Sequence, residues 1–150
     1  MPPPWWPASF LLGWGLLVLA LVDVLDFRLP DALTLPLTAV GLLLSAGSGA
    51  WSHHLMGAML GWGMLTGVAA AYRRWRGRDG MGQGDAKLLA AGGAWLGWEA
   101  LPSVVLIACA IAFAGVAANR LAVARPRDTD APVPFGPALC GGIWLMWLYG

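Results

Sequence analysis

Every lysine and arginine in this chain falls in one of three short segments, and the sequence between those segments is apolar enough to cross a bilayer repeatedly. Six stretches are long and apolar enough to span, which takes about 17–25 residues each. They lie near residues 8–25, 32–50, 54–72, 86–101, 103–119 and 134–149. Arg28 follows the first. Arg73, Arg74, Arg76, Arg78 and Lys87 surround the third-to-fourth connection, and Arg120, Arg125 and Arg127 lie between the fifth and sixth. The connections near 48–54 and 98–103 carry no positive charge, and neither do the termini. By the positive-inside rule the three basic segments face the cytoplasm and both ends lie outside it. Five or seven spans would put basic loops on both sides. The expectation is an all-α polytopic membrane protein, a bundle of six transmembrane helices filling residues 1–150 as one domain.

Composition agrees: 59% of the 150 residues are hydrophobic and 11% charged, against roughly 45–50% and about 25% in soluble domains. The net charge of +1 gives no reason to expect a nucleic-acid partner. The partner expected from composition is the lipid bilayer. "MPPPWWPASF" lacks the charged start and small-residue cleavage site of a removable signal peptide, so the first span is expected to remain in the mature protein. Trp5 and Trp6 read as interfacial anchors, and most of the ten tryptophans as membrane belts rather than a ligand site. Cys109 and Cys140 have no C-x-x-C partner and read as small packing residues. His53 and His54 stand together in an outer loop without further ligand-type neighbours, so no metal site is expected there. No cofactor is implied.

The acids carry more information. Seven of the eight map to the cytoplasmic side and Glu99 does not. Asp79, Asp128 and Asp130 sit in polar loops beside arginines. Asp23 is different, because in "LLVLALVDVLDFRLPDALTL" it precedes the end of the apolar run, where an ionisable group costs up to about 2.5–3.5 kcal/mol and is a functional candidate by default. Asp26 is one turn closer to water. Asp31, beside Pro30, reads as a helix-start residue that accepts backbone N–H bonds and favours the dipole. Asp85 closes "GMGQGD" and opens the fourth span. Topology brings Asp23 and Asp85 to the same cytoplasmic layer, where they can meet. Two facing carboxyls in a low-dielectric site share a proton and titrate as a pair. One then serves as base toward a water and the other as acid toward the carbonyl or leaving amine. No nucleophilic Ser or Cys and no metal is needed.

Gly80, Gly82 and Gly84 permit positive φ and close approach of a second chain, such as an extended substrate strand; a simple interhelical turn is the alternative. A phosphate loop needs a βα context that is missing here. A calcium loop needs alternating acids and a terminal Glu, also missing.

These segments resemble the type IV prepilin peptidases, aspartic proteases that share a Gly-x-Gly-Asp motif with the presenilins. "VDVLDFRLPDALTLPL" looks like the family's first-aspartate segment, "GMGQGDAKLLAAGGAWLGW" its second, and "PVPFGPALCGG" the start of its last span, with Pro134, Phe135, Gly136 and Pro137. In that register Asp23 and Asp85 are the catalytic pair and Asp26 is not. Asp31 is the acid after the proline, and Gly82, Gly84 and Lys87 complete the second motif as loop or substrate-binding residues. The resemblance implies an inner-membrane endopeptidase that removes the short basic leader from prepilin or pseudopilin precursors on the cytoplasmic face, after a Gly and before an aromatic or hydrophobic residue. The paired C-x-x-C cysteines of fuller bacterial forms are missing, which counts against zinc binding and against methylation of the new N-terminus. Lys87 either steadies the charged pair, touches an acidic substrate residue or marks the cytoplasmic edge, and Asp128 and Asp130 are candidates for holding a basic leader.

Two rivals stay open on sequence alone. One is a presenilin-like enzyme that cuts within transmembrane helices, which "PAL" at 137–139 echoes, although Val22 stands where that group has Tyr. The other is a small proton-coupled carrier, whose acids would lie nearer the bilayer midplane.

Overall fold

The computed structural model describes residues 6–26, 30–77, 83–122 and 135–149, and these are all-helical apart from short turns. Six α-helices follow in order: α1 (Trp6–Asp26), α2 (Asp31–Gly47), α3 (Trp51–Arg76), α4 (Gln83–Leu96), α5 (Leu101–Ala122) and α6 (Gly136–Tyr149), with a 3₁₀ turn at Trp98–Ala100 leading into α5. Each apolar stretch is thus a helix. Three segments, Pro7–Asp26, Trp51–Arg76 and Trp98–Ala122, are long and apolar enough to cross a membrane, and Asp31–Gly47 is a shorter apolar helix. On these helices large apolar side chains such as Phe10, Trp14, Met59, Trp62, Leu106 and Phe113 are exposed. An apolar surface of this extent suits lipid and would associate in water.

The expectation of six stretches of spanning length is too simple. α4 and α6 have 14 residues each, about 21 Å at 1.5 Å per residue, short of the roughly 30 Å hydrocarbon core. The stretch read as one span over 86–101 is broken because α4 stops at Gly97, whose positive φ of 88° ends the helix while its N–H donates to the Gly93 carbonyl at 2.8 Å. Position explains the shortness of α4. Its residues 88–95 are all buried, and it packs against α2, α3 and α6. A helix surrounded by protein is freed from matching the bilayer.

Small residues make that central position possible. Gly57 and Gly61, four apart on one face of α3, lie against the backbone of α4 at Gly93 and Leu89. A Cβ on Gly61 would stand 2.7 Å from the Leu89 carbonyl oxygen. Small residues spaced four apart let membrane helices approach backbone to backbone. At the far end of α4, Trp95 is buried, donates its indole N–H to the Leu37 carbonyl at 2.8 Å and meets Trp147 edge-on with ring centroids 5.7 Å apart. Trp95 is therefore a core post between α2, α4 and α6, a correction to the membrane-belt reading of the tryptophans. Exposed Trp51 and Trp75, at the two ends of α3, fit that reading better, whereas exposed Trp14 and Trp62 lie near the middle of their helices.

Three further expectations shift. α3 runs on through Arg73, Arg74 and Arg76, which face its negative dipole end, and closes at Gly77, whose N–H donates to the Arg73 carbonyl at 2.9 Å. The connection read as beginning at 73 thus starts later. His53 and His54 belong to the first turn of α3 rather than to a loop; His54 Nδ1 lies 2.9 Å from the Ala94 carbonyl oxygen, and Trp98 donates to His53 Nδ1 at 3.2 Å. Cys140 is buried as expected, but Cys109 is exposed on α5.

If backbone contact between α3 and α4 organises the bundle, Gly61→Leu should destabilise the detergent-solubilised protein by about 1–3 kcal/mol. Gly63→Leu, where an added Cβ meets nothing within 4 Å, should leave its melting midpoint unchanged. Equal midpoints for the two variants would refute this account.

Candidate functional site

On α1, Leu12, Leu16, Leu19 and Asp23 are the buried positions, with exposures of 1, 3, 0 and 6%. Their spacing of four, three and four residues is one face of a helix. The same stripe that anchors α1 in the core therefore carries Asp23 into it, whereas Asp26 is exposed at the end of the helix. A carboxyl so placed needs a partner. Its Oδ2 accepts a hydrogen bond from the Gly136 backbone N–H at 3.1 Å, across 113 positions of sequence.

Asp85 enters from α4, in its first turn, and is partly buried. A carboxylate there is favoured by the helix dipole. It lies close enough to Asp23 for the two to interact electrostatically, and the buried Cys140 thiol of α6 is within electrostatic reach of both. Gly84 is helical, the second residue of α4, so it does not supply the positive-φ turn expected of it. Gly80, Gly82, Asp128, Asp130 and Pro134 lie outside the described residues.

Lys87 and Asp31 meet. Lys87 Nζ donates to Asp31 Oδ1 at 2.6 Å, joining the second turn of α4 to the first residue of α2. Asp31 does begin a helix, as expected, but it is not a cap. The N–H groups of Leu33 and Thr34 go to the Pro30 carbonyl instead, at 3.1 and 3.3 Å. Lys87 thus forms a tie between helices, a role that the sequence did not suggest for it. Both side chains are partly in solvent, 31 and 56% exposed, and such pairs contribute about 0–1 kcal/mol.

α1 and α6 are held together at both ends, by Asp23 with Gly136 and by the Trp147 indole N–H donating to Ser9 Oγ at 2.9 Å. Beside this seam is an open-sided, almost wholly apolar groove of about 660 Å³, walled by Phe10, Trp14, Leu17, Ala20, Pro137 and Trp144. Ala20 and Pro137 put one end of the groove within a turn of Asp23 and next to Gly136. Among the described residues no group of three or more His, Cys, Asp or Glu side chains could hold a metal ion. The arrangement offers a pair of acids, one buried and one partly exposed, beside an apolar trough.

Gly136 was legible in the sequence as part of a motif, but its bond to Asp23 was not, because a main-chain donor has no side-chain signature. The leucine spacing that leads to Asp23 was a usable signal.

Residues 10–117 match the model of the type IV leader peptidase family. Three relatives, each named prepilin leader peptidase/N-methyltransferase, give the scale of the likeness. That of Aeromonas hydrophila is 42% identical over 95% of this chain and 49% of its own length. That of Pseudomonas aeruginosa is 39% identical over 95% and 49%, and that of Burkholderia pseudomallei strain K96243 is 44% identical over 90% and 44%. The chain thus spans about half the length of the curated relatives it matches. No solved structure matches it. With its family model covering most of the helical bundle, this chain belongs to the type IV leader peptidase family.

Proposed function

We propose that this protein is a membrane-embedded aspartic endopeptidase that removes the short basic leader from prepilin or pseudopilin precursors, with Asp23 and Asp85 as its catalytic pair. The observation that carries this reading is a buried carboxyl, Asp23, within electrostatic reach of a second acid from a distant part of the chain. Family membership supports it, because the relatives' names state leader cleavage of prepilins. Residues 1–150 then act as one transmembrane peptidase domain of the bacterial inner membrane. Its six helices leave both termini outside, and the site faces the cytoplasm beside the arginine-bearing connections.

The chemistry follows from the surroundings. One carboxylate takes a proton from a water as that water attacks the scissile carbonyl carbon. The other, protonated, donates to the carbonyl oxygen; when the resulting diol breaks down it takes that proton back, while the first acid passes the water's proton to the departing amine. A cut at the edge of the apolar layer suits a substrate whose own apolar helix begins just past the scissile bond. The groove between α1 and α6, reaching Asp23 at one end, supports such a substrate. Lys87, tied to Asp31, holds the start of α4 against α2 and so fixes the level of Asp85.

In purified full-length protein, Asp23→Asn and Asp85→Asn should each slow cleavage of a leader-bearing prepilin by at least about 10²-fold, with the cut site read by mass. Cleavage at the wild-type rate by either variant rejects the pair. A proton-coupled carrier would lose transport in these variants and cut nothing in any form. Lys87→Gln and Asp31→Asn should each slow cleavage by less than about tenfold, and the double variant should be no slower than the worse single, the signature of one shared contact. A Lys87→Gln loss as deep as that of Asp85→Asn would instead place the lysine on the substrate.

A further inference from the structure

The hydrogen bond from Gly136 to Asp23 joins two facts about α6. Its first internal bond runs from the Leu139 N–H to the Phe135 carbonyl at 3.1 Å, which makes Phe135 the N-cap and Gly136 the first helical residue. The first N–H groups of any helix have no partner within it and are commonly answered by an Asp, Asn, Ser or Thr at the cap. Phe135 has no side-chain acceptor, and Pro137 has no N–H. The Gly136 N–H is therefore answered from another helix by Asp23 Oδ2, at 3.1 Å. Space is as restrictive as bonding. The Asp23 carboxyl stands where a side chain on residue 136 would begin, in direct collision with an added Cβ.

We infer that Gly136 is a positioning residue for the cleavage reaction: its N–H, at the positive end of α6, fixes one oxygen of Asp23, and its bare Cα leaves room for that carboxyl to lie beside Asp85. The inference rests on the reading of Asp23 as a reacting group. Held by Oδ2, the carboxyl keeps Oδ1 for water and substrate. Any larger residue at 136 pushes the group out of register with its partner, although substrate binding along the helices is untouched. The consequence is a defect in turnover rather than in affinity.

The test compares kcat and KM for a leader-bearing prepilin in full-length protein in detergent. Gly136→Ala should lower kcat by about 10²-fold or more while KM stays within about twofold, because a displacement on the order of 1 Å suffices for such a loss. Gly115→Ala, where the added Cβ meets nothing within 4 Å, should behave as wild type. A backbone variant with glycolic acid in place of Gly136, made by suppressor-tRNA incorporation, removes the N–H without adding volume and should lower kcat by roughly tenfold or more. It decides the matter if Gly136→Ala does not fold. Wild-type kcat in the glycolic acid variant, or a loss that falls on KM, overturns the inference. If Asp23→Asn is dead while both residue-136 variants turn over normally, the inference alone fails. If Asp23→Asn cleaves normally, the reading beneath it fails.

Discussion

A carboxyl group set among leucines has to be answered, and the answer given to Asp23 organises one half of this bundle. Burying an unpaired ionisable group is unfavourable by several kcal/mol or more, so such groups persist only with a hydrogen-bonding partner. Here the partner is a backbone N–H that α6 leaves free at its start. For the two to meet, α6 must begin at the level of Asp23, three residues before α1 ends, which is about 4.5 Å along the axis. Residue 136 must also lack a side chain. Once that contact is made, the antiparallel course of α6 along α1 brings Trp147 to Ser9 at the other end. Few polar contacts of this kind are needed, because lipid offers no competing partner for an N–H or hydroxyl.

The other half is set by α4, which has no such polar anchor in its middle and relies on shape. Its Ala- and Gly-rich face lets α3 approach at Gly57 and Gly61, so dispersion contacts do the work that apolar burial does in water. Two polar ties then fix its height against α2. Lys87 reaches Asp31 at one end, and Trp95 reaches the Leu37 carbonyl at the other. Eight residues separate the ties on α4 and six on α2, about 12 and 9 Å of rise, so the two helices run side by side in the same direction. That register determines where Asp85 stands. Close packing at Gly57 and Gly61 is thus part of how Asp85 is placed.

The sequence made some of this visible and hid the rest for identifiable reasons. Six apolar runs, with arginine or lysine at alternate connections only, revealed six helices, because lipid and charge segregate strongly. Asp23 was conspicuous because an acid inside an apolar run is costly, and Asp85 because of the glycines before it. The burial of α4 was hidden: "LLAAGGAW" is about as apolar as the lipid-facing α3, so hydropathy alone does not tell a helix surrounded by protein from one that faces lipid. Trp95 was misread for a related reason, as proximity to a helix end does not reveal which way an indole faces. The pairing of Lys87 with Asp31 joins positions 56 apart, a contact that depends on helix packing. His53 and His54 looked like loop residues because polar side chains interrupt the apolar pattern, yet the helix accommodates them: His54 meets the Ala94 carbonyl of α4, and His53 accepts from Trp98 in the turn beyond it.

The two short helices share a property that bears on the proposed chemistry. Asp85 sits in the first turn of α4, and Asp23 accepts from the first N–H of α6. Each helix N-terminus carries the equivalent of roughly half a positive charge, concentrated in its first turn. Two acids brought close in an apolar setting repel one another when both are ionised, and there is no cation in direct contact with Asp23 among the described residues to offset this. Lys87, two residues after Asp85, is engaged by Asp31. Helix ends supply positive potential without adding a titratable group that would compete for a shared proton. Under the proposed chemistry, main-chain dipoles would thus help one carboxylate stay available as a base while its partner holds the proton.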